Sequence, residues 1–291
     1  MSLSSIKSPH QPVHTIGIVG LGLIGGCLAL DLKQLGYAVY GVARRSATVT
    51  AALEMGVVTQ AGCDLALLSQ ADLVFICTPM ALIVPTVQQL VEHLSASAIV
   101  TDVGSVKGEI VAAATAICPN FVGGHPMAGK AESGIAAAET GLFRERPYVV
   151  TPIETTQLAA VDQVVAIATQ LGAQVHISTP AAHDQAVAAI SHLPVMVSSS
   201  LIHSCLNESD ANVRMLAQQL ASSGFCDTSR VGGGNPELGT MMAQFNRPAL
   251  LNALQQYQHQ LETVIELVES EQWEVLEQRL SVAQQERPKY L

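Results

Sequence analysis

The chain predicts an α/β protein: a Rossmann-like dinucleotide-binding domain followed by an all-α C-terminal dimerisation domain. Three observations carry this. Short β-rich runs alternate with helical stretches from Thr15 to about Ser178, a glycine fingerprint joins the first run to the first helix, and strand signals stop after Pro180. The expected boundary places residues 14–178 in the nucleotide-binding domain and 179–291 in a helical domain for substrate and dimer contacts.

The β-rich runs are TIGIVG, YAVYGVA, DLVFICTP, AIVTDV, NFVGG, PYVVTP and AQVHIS, separated by Ala/Leu/Gln-rich stretches. Such alternation predicts a mostly parallel sheet with helices on its faces. Beyond Pro180 everything reads as helix, apart from a Gly-rich interruption from Ser222 to Asn235. His183 and Asp184 are expected to start the first of these helices, with Asp184 near its positive end. Pro194 should kink it, because proline has no N–H for the carbonyl of Ile190. The series Leu250, Leu251, Leu254, Tyr257, Leu261, Val264, Ile265 and Val268 keeps three- and four-residue spacing, so one face of a long helix must be covered. Packing within the domain would cover it, and so would a second copy of the chain; a homodimer is expected.

Composition narrows the class of function. A chain of 291 residues with 49% apolar residues can bury a large core, and single cores rarely grow past roughly 250 residues, which favours two domains. The net charge of −10 and the absence of a Lys/Arg cluster argue against nucleic-acid binding. Cys27, Cys63, Cys77, Cys118, Cys205 and Cys226 are scattered without a CxxC pair, which suits free thiols in a reducing, cytoplasmic compartment. The first dozen residues, through Gln11 and Pro12, lack an apolar signal core and read as a flexible tail. Thr15–Leu30 is free of charge but shorter than the roughly 20 residues of a membrane helix, and it contains five glycines, so it reads as strand and turn. No membrane association is expected. No HExxH, no GxSxG and no metal-ligand spacing among the nine histidines is present, so neither a metal nor a nucleophilic serine is expected.

The cofactor signal is Gly20-Leu-Gly22-Leu23-Ile24-Gly25, which follows an apolar strand and opens a helix. Gly20 allows a tight turn, Gly22 lets the backbone approach a pyrophosphate, and Gly25 lets helix and strand pack closely, while the helix N-terminus favours the anion. After the second strand, where an NAD enzyme usually carries an acid for the ribose hydroxyls, the chain reads Ala43-Arg44-Arg45-Ser46. Guanidinium groups fork onto a 2′-phosphate, so NADP is the expected cofactor, with solvated strand-end charges as the plainer reading.

Three further strand ends carry polar groups: Cys77-Thr78-Pro79, Asp102 to Lys107 with Ser105 between them, and Gly123-Gly124-His125-Pro126. Open α/β sheets bind ligands at such ends. A serine and a histidine on neighbouring ends can hydrogen-bond a carbinol hydroxyl that is about to lose hydride, which makes His125 the leading base.

The order GLGLIGG, CTP, TDVGSVK, GGHPMAGKAESG, ISHLP and FCDTSRVGGGNPELG resembles the arogenate/prephenate dehydrogenase family, and its cyanobacterial arogenate-type members in particular. The resemblance covers nearly all of the chain after residue 14, and GGHPMAG with SRV about a hundred residues later is its most specific part. It implies oxidation of a ring carbinol with loss of the ring carboxylate as carbon dioxide, giving tyrosine from arogenate. It further implies that His125 takes the hydroxyl proton, that Ser105 holds that hydroxyl and the imidazole, and that Thr78 and Pro79 shape the nicotinamide pocket. Arg230 would clamp a substrate carboxylate, for which a bidentate guanidinium is the fitting group, and His192 would belong to the active site. Prephenate-type members often read SHLPH and Thr-Glu where this chain has Val195 and Lys130-Ala131, so arogenate is the expected substrate.

Prephenate dehydrogenation to 4-hydroxyphenylpyruvate is the alternative reaction. A β-hydroxyacid dehydrogenase is the rival of similar architecture, and a catalytically silent NADPH-binding regulatory protein the rival of another class. The first, like pyrroline-carboxylate reductase, leans on a lysine or hydroxyl in its helical domain where this chain's SHLP and DTSRV carry His and Arg, and the second has no need for Ser105, His125 and Arg230 together.

Overall fold

The computed structural model describes residues 13–130 and 132–290. The reading of the first dozen residues as a tail, and the Ala131 half of the Lys130-Ala131 comparison, lie outside the described residues. The chain divides into two compact units. The first runs through Val187 and takes back Gly234–Phe245; the second comprises Ala188–Gly233 and the residues from Asn246 onward.

The first unit is built on eight strands: β1 (Thr15–Val19), β2 (Ala38–Val42), β3 (Gln60–Gly62), β4 (Leu73–Ile76), β5 (Ile99–Asp102), β6 (Phe121–Pro126), β7 (Pro147–Thr151) and β8 (Gln174–Ile177). Their order in the sheet is β3-β2-β1-β4-β5-β6-β7-β8. Every pair is parallel except β6 with β7, where His125 stands opposite Val149. The first six strands are linked through helices α1 (Leu23–Gln34), α2 (Ser46–Glu54), α3 (Met80–Leu90) and α4 (Gly108–Ile117), with a 3₁₀ turn at Leu65–Leu68 between β3 and β4; α5 (Leu158–Gln170) and α6 (Pro180–Val187) follow.

Alternation along the strands fills both faces of the sheet, as a parallel sheet covered by helices requires. Ile16, Ile18, Leu73 and Phe75 enter one core with Leu28 and Leu32 of α1 and Val164 and Ile167 of α5. Val19, Val74, Ile76 and Val100 enter the other with Ile83 and Val87 of α3 and Ile110 and Val111 of α4.

Register then decides where chemistry can occur. Val19 pairs with both Val42 and Ile76, and Ile76 with Asp102, so β1, β2, β4 and β5 end level. The loops that follow, at Gly20, Ala43, Cys77 and Val103, therefore line one edge. The order reverses between β1 and β4, which opens the crevice in which such sheets bind ligands.

Within the second unit, a π-helical turn at Ala188–His192 precedes α7 (Leu193–Leu206), with Pro194 in the first turn of α7. A widened turn just before a proline is the way a helix absorbs a missing N–H. Next come α8 (Ala211–Leu220) and α9 (Ser223–Ser229), where the sequence suggested only an interruption, then a 3₁₀ turn at Arg230–Gly233. The chain returns to the first unit as α10 (Pro236–Phe245), whose Met241 and Phe245 pack on its second core. It then completes the second unit with α11 (Arg247–Glu269) and α12 (Trp273–Glu286). The run Pro180–Leu206 is long and apolar enough to cross a membrane by length and composition. Its polar His183, Asp184 and His192 are buried.

Candidate active site

The Gly20–Gly25 loop has the form its glycines require. Gly20 has φ +100°, and a Cβ there would lie 2.6 Å from the carbonyl oxygen of Cys77. A Cβ on Gly25 would lie 2.0 Å from the carbonyl of Gly20, so α1 can start this close to β1 only with glycine. Gly22 faces open space. Leu23 and Ile24 begin α1, and no acid stands in its first turn. At the neighbouring strand end, the Thr78 hydroxyl is buried without a hydrogen-bond partner among the described residues, a polar group placed for a ligand to satisfy. Pro79 is the N-cap of α3. Beyond β2, Ala43 is buried and its N–H bonds to the carbonyl of Gly62, while Arg44 and Arg45 are exposed and in no ion pair among the described residues. These features fit a pyrophosphate at the glycine loop, a nicotinamide amide near Thr78 and an anionic group near the two arginines.

His125 lies next to the last residue of β6, preceded by two glycines that have no room for side chains: a Cβ on Gly123 would meet Thr151 Oγ1 at 2.4 Å, and one on Gly124 the carbonyl of Asp102 at 2.7 Å. That close approach draws β6 against its neighbours and holds His125 largely buried. Its Nδ1 is 2.8 Å from Nε2 of His183, and Nδ1 of His183 is 2.8 Å from Oδ1 of Asp184. Asp184 does not act at the positive end of its own helix, as the sequence suggested. It reaches across to α4, where Oδ1 accepts the N–H of Lys107 at 2.8 Å and Oδ2 that of Gly108 at 2.7 Å. A carboxylate at an N-terminus without a side-chain cap of its own satisfies two orphan donors and sits favourably in the helix dipole.

With both imidazoles neutral, these contacts select one arrangement of protons. Asp184 takes backbone N–H bonds on both oxygens and is an acceptor, so Nδ1 of His183 carries hydrogen and its Nε2 accepts. Nδ1 of His125 must then donate, which leaves the lone pair on Nε2 of His125. An imidazole hydrogen-bonded to a second histidine, and through it to a carboxylate, is held in a geometry that can serve a base. Ser105 follows on the next strand end; its hydroxyl donates to the Met80 thioether at 3.4 Å, a weak acceptor that a better one can replace.

Beneath the loop, Lys107 and Asp102 form a fully buried ion pair. Burial pushes the Lys107 ammonium down from its usual range, and the Asp102 carboxylate opposes that shift. The sequence singled out the two ends of TDVGSVK without indicating that they meet. His183 and Asp184 were likewise visible only as a pair at a helix start, since their partners are 58 to 77 positions away in sequence.

In the second unit, His192 is completely buried and its Nδ1 accepts from Nδ2 of Asn246 at 3.2 Å, just before α11. Arg230 is exposed at the start of the 3₁₀ turn. That turn lies against α7: Gly232 N–H donates to Ser198 Oγ at 2.9 Å, and a Cβ on Gly232 would meet the Ser198 carbonyl carbon at 2.5 Å. The glycine-rich segment is therefore a close-packing device that holds the residues after Arg230 to a helix.

A glycine cradle at the switch point of an open, mostly parallel sheet is the apparatus that holds a pyridine nucleotide, and the first unit is the pyridine-nucleotide domain of a dehydrogenase. Residues 28–177 match the nucleotide-binding domain of prephenate dehydrogenase, and residues 179–282 match its dimerisation domain. The chain belongs to the prephenate dehydrogenase family. It is 50% identical to Synechocystis arogenate dehydrogenase, whose crystal structure superposes with a TM-score of 0.88 over 95% of this chain and 100% of that one. Prephenate dehydrogenase from A. aeolicus, solved with hydroxyphenyl propionate and NAD+, gives a TM-score of 0.91 at 26% identity, covering 97% of this chain and 99% of that one. The prephenate dehydrogenase of Bacillus subtilis is 32% identical over 277 residues, which are 92% of this chain and 73% of the relative.

Proposed function

We propose that the protein is an NADP-dependent arogenate dehydrogenase that makes tyrosine in the cytoplasm, working as a homodimer through its helical domain. The division of labour follows the sequence boundary, with residues 14–178 holding nucleotide and 179–291 serving substrate and dimer contacts. The observation that carries the chemistry is the hydrogen-bonded series His125–His183–Asp184, which with both rings neutral puts the lone pair on Nε2 of His125. The choice of arogenate is supported by the 50% identity to the Synechocystis enzyme, and by Val195 and Lys130 where prephenate-type members carry other groups. The choice of NADP is supported by the exposed Arg44 and Arg45 in place of an acid. The relatives named for prephenate favour that substrate as the second reading.

When bound, NADP supplies the acceptor for the hydride that leaves the ring carbinol carbon. Nε2 of His125 takes the hydroxyl proton as that carbon is oxidised, and Ser105 holds the hydroxyl in line. The bond between the ring and its carboxylate then breaks, its electron pair enters the ring, and carbon dioxide leaves. The phenol oxygen recovers its proton from His125, so the base is regenerated. His183 and Asp184 hold the imidazole in one tautomer and stabilise its positive charge in between. Arg230 binds a substrate carboxylate, His192 has a role in the active site, and the Gly20–Gly25 loop, Thr78 and Pro79 hold the nucleotide.

His125→Asn tests the assignment of the base. With arogenate and NADP its kcat should fall by about 10²- to 10⁴-fold, the range for a positioned general base, with the KM for NADP little changed. A variant retaining most of its kcat would remove His125 from the chemistry.

A further inference from the structure

Asp102 and Lys107 have no part in the proton and hydride steps, yet they are fully buried charges in a protein with few of them. Their contacts converge on one peptide unit. Oδ1 of Asp102 accepts the N–H of Gly124 at 3.1 Å, and Nζ of Lys107 donates to the carbonyl of the same Gly124 at 2.7 Å. Gly124 is the residue before His125, so one ion pair satisfies both backbone polar groups on the approach to the base. Oδ2 of Asp102 also accepts the N–H of Gly104 at 2.9 Å, which fixes the bend that carries Ser105. The same loop reaches the far end of the histidine pair, because the N–H of Lys107 donates to Asp184.

We propose that the Asp102–Lys107 pair is a positioning device for the reaction: its side chains set His125, its bend sets Ser105, and the backbone of Lys107 sets Asp184. This rests on the reading of His125 as base. With three reacting or orienting groups tied to one short loop, a displacement of the loop moves them together and keeps the His125–His183 bond intact. Removing the tie lets β6 and the Asp184 end drift independently, and catalysis tolerates little of that, since a misplacement of about 1 Å costs on the order of 100-fold in rate.

A pair that served folding alone would be buried in the same way, so the test must separate the two roles. Lys107→Met leaves an uncompensated buried carboxylate and should lower the melting temperature under either role. In Asp102→Asn/Lys107→Met that charge is removed. The expected result is that the double variant regains most of the lost melting temperature, while its kcat stays about 100-fold below the parent and its KM for NADP remains within about twofold. A kcat that recovers together with the melting temperature overturns the proposal.

A second readout does not depend on turnover. ¹⁵N-histidine NMR of the full-length parent should show His125 and His183 each as a single tautomer protonated at Nδ1, with the His125 signals assigned by His125→Asn. In the double variant those signals should move to a mixture of tautomers; an unchanged spectrum overturns the proposal even where the rate has fallen. A parent that oxidises neither arogenate nor prephenate would sink the proposed substrate, and the histidine spectrum would still decide the role of the pair.

Discussion

Arg44 and Arg45 stand side by side just past the end of β2. The residue types exclude the acid that would repel a 2′-phosphate, and the fold leaves both side chains exposed, in no ion pair among the described residues. Replacing both with alanine should raise the KM for NADP by about 10- to 100-fold, the loss of one or two charge-assisted hydrogen bonds, with far less effect on NAD. Steady-state kinetics with the two nucleotides measures this, and equal effects on both would remove the phosphate clamp. Other residues were less legible. His125, Ser105 and Arg230 could be picked out because glycines, strand ends and motif order mark them. Asp184 could not be placed, because its carboxylate acts on the helix that begins at Gly108, and no local pattern encodes a hydrogen bond across 77 positions.

Helices and strands with strong periodicity are the parts of this fold most readily read from sequence. Seven β-rich runs became strands; the eighth strand, Gln60–Gly62, is three residues without a β-branched side chain and gave no signal. That β7 runs against β6 was equally hidden, because strand direction depends on the path of the connection and not on residue type. Ser222–Asn235 looked like an interruption, yet α9 forms there because Ser222 and the residues after it can begin a short helix, with the glycines serving contact with α7.

Helix α1 carries a cost at the same scale. Asp31 is buried, Oδ1 accepts from Gly141 at 2.9 Å, and Oδ2 has no hydrogen-bond partner among the described residues. Desolvation raises its folded-state pKa above the usual carboxylate value, against the weaker pull of Gly141 and Arg144. A raised carboxylate pKa means the folded state holds the proton more tightly, so stability declines as pH rises through that window and the cost is fully present at neutral pH. Asp31→Asn should therefore melt higher than the parent at pH 7, with the difference narrowing toward pH 4. Thermal melts across that range check it, and a gain that grew on acidification would contradict the sign.

For the whole molecule, the long helix poses the question of what covers it. Of the apolar series read from the sequence, Leu250 is buried, but Leu261 is 50% exposed and Ile265 48% in a single chain. A stripe that large is accounted for by the proposed homodimer and by the match to a family dimerisation domain. Leu261→Glu/Ile265→Glu should sediment as a monomer where the parent sediments as a dimer, and a variant that remains dimeric would place the interface elsewhere. The proposed substrate and cofactor are tested together by one experiment. Initial rates of nicotinamide reduction are measured with arogenate and prephenate, each offered with NADP and NAD. The account predicts that arogenate with NADP gives the highest kcat/KM of the four. A higher value with prephenate would contradict the substrate assignment while leaving the family and the His125 chemistry in place, and turnover with neither substrate would contradict the account as a whole.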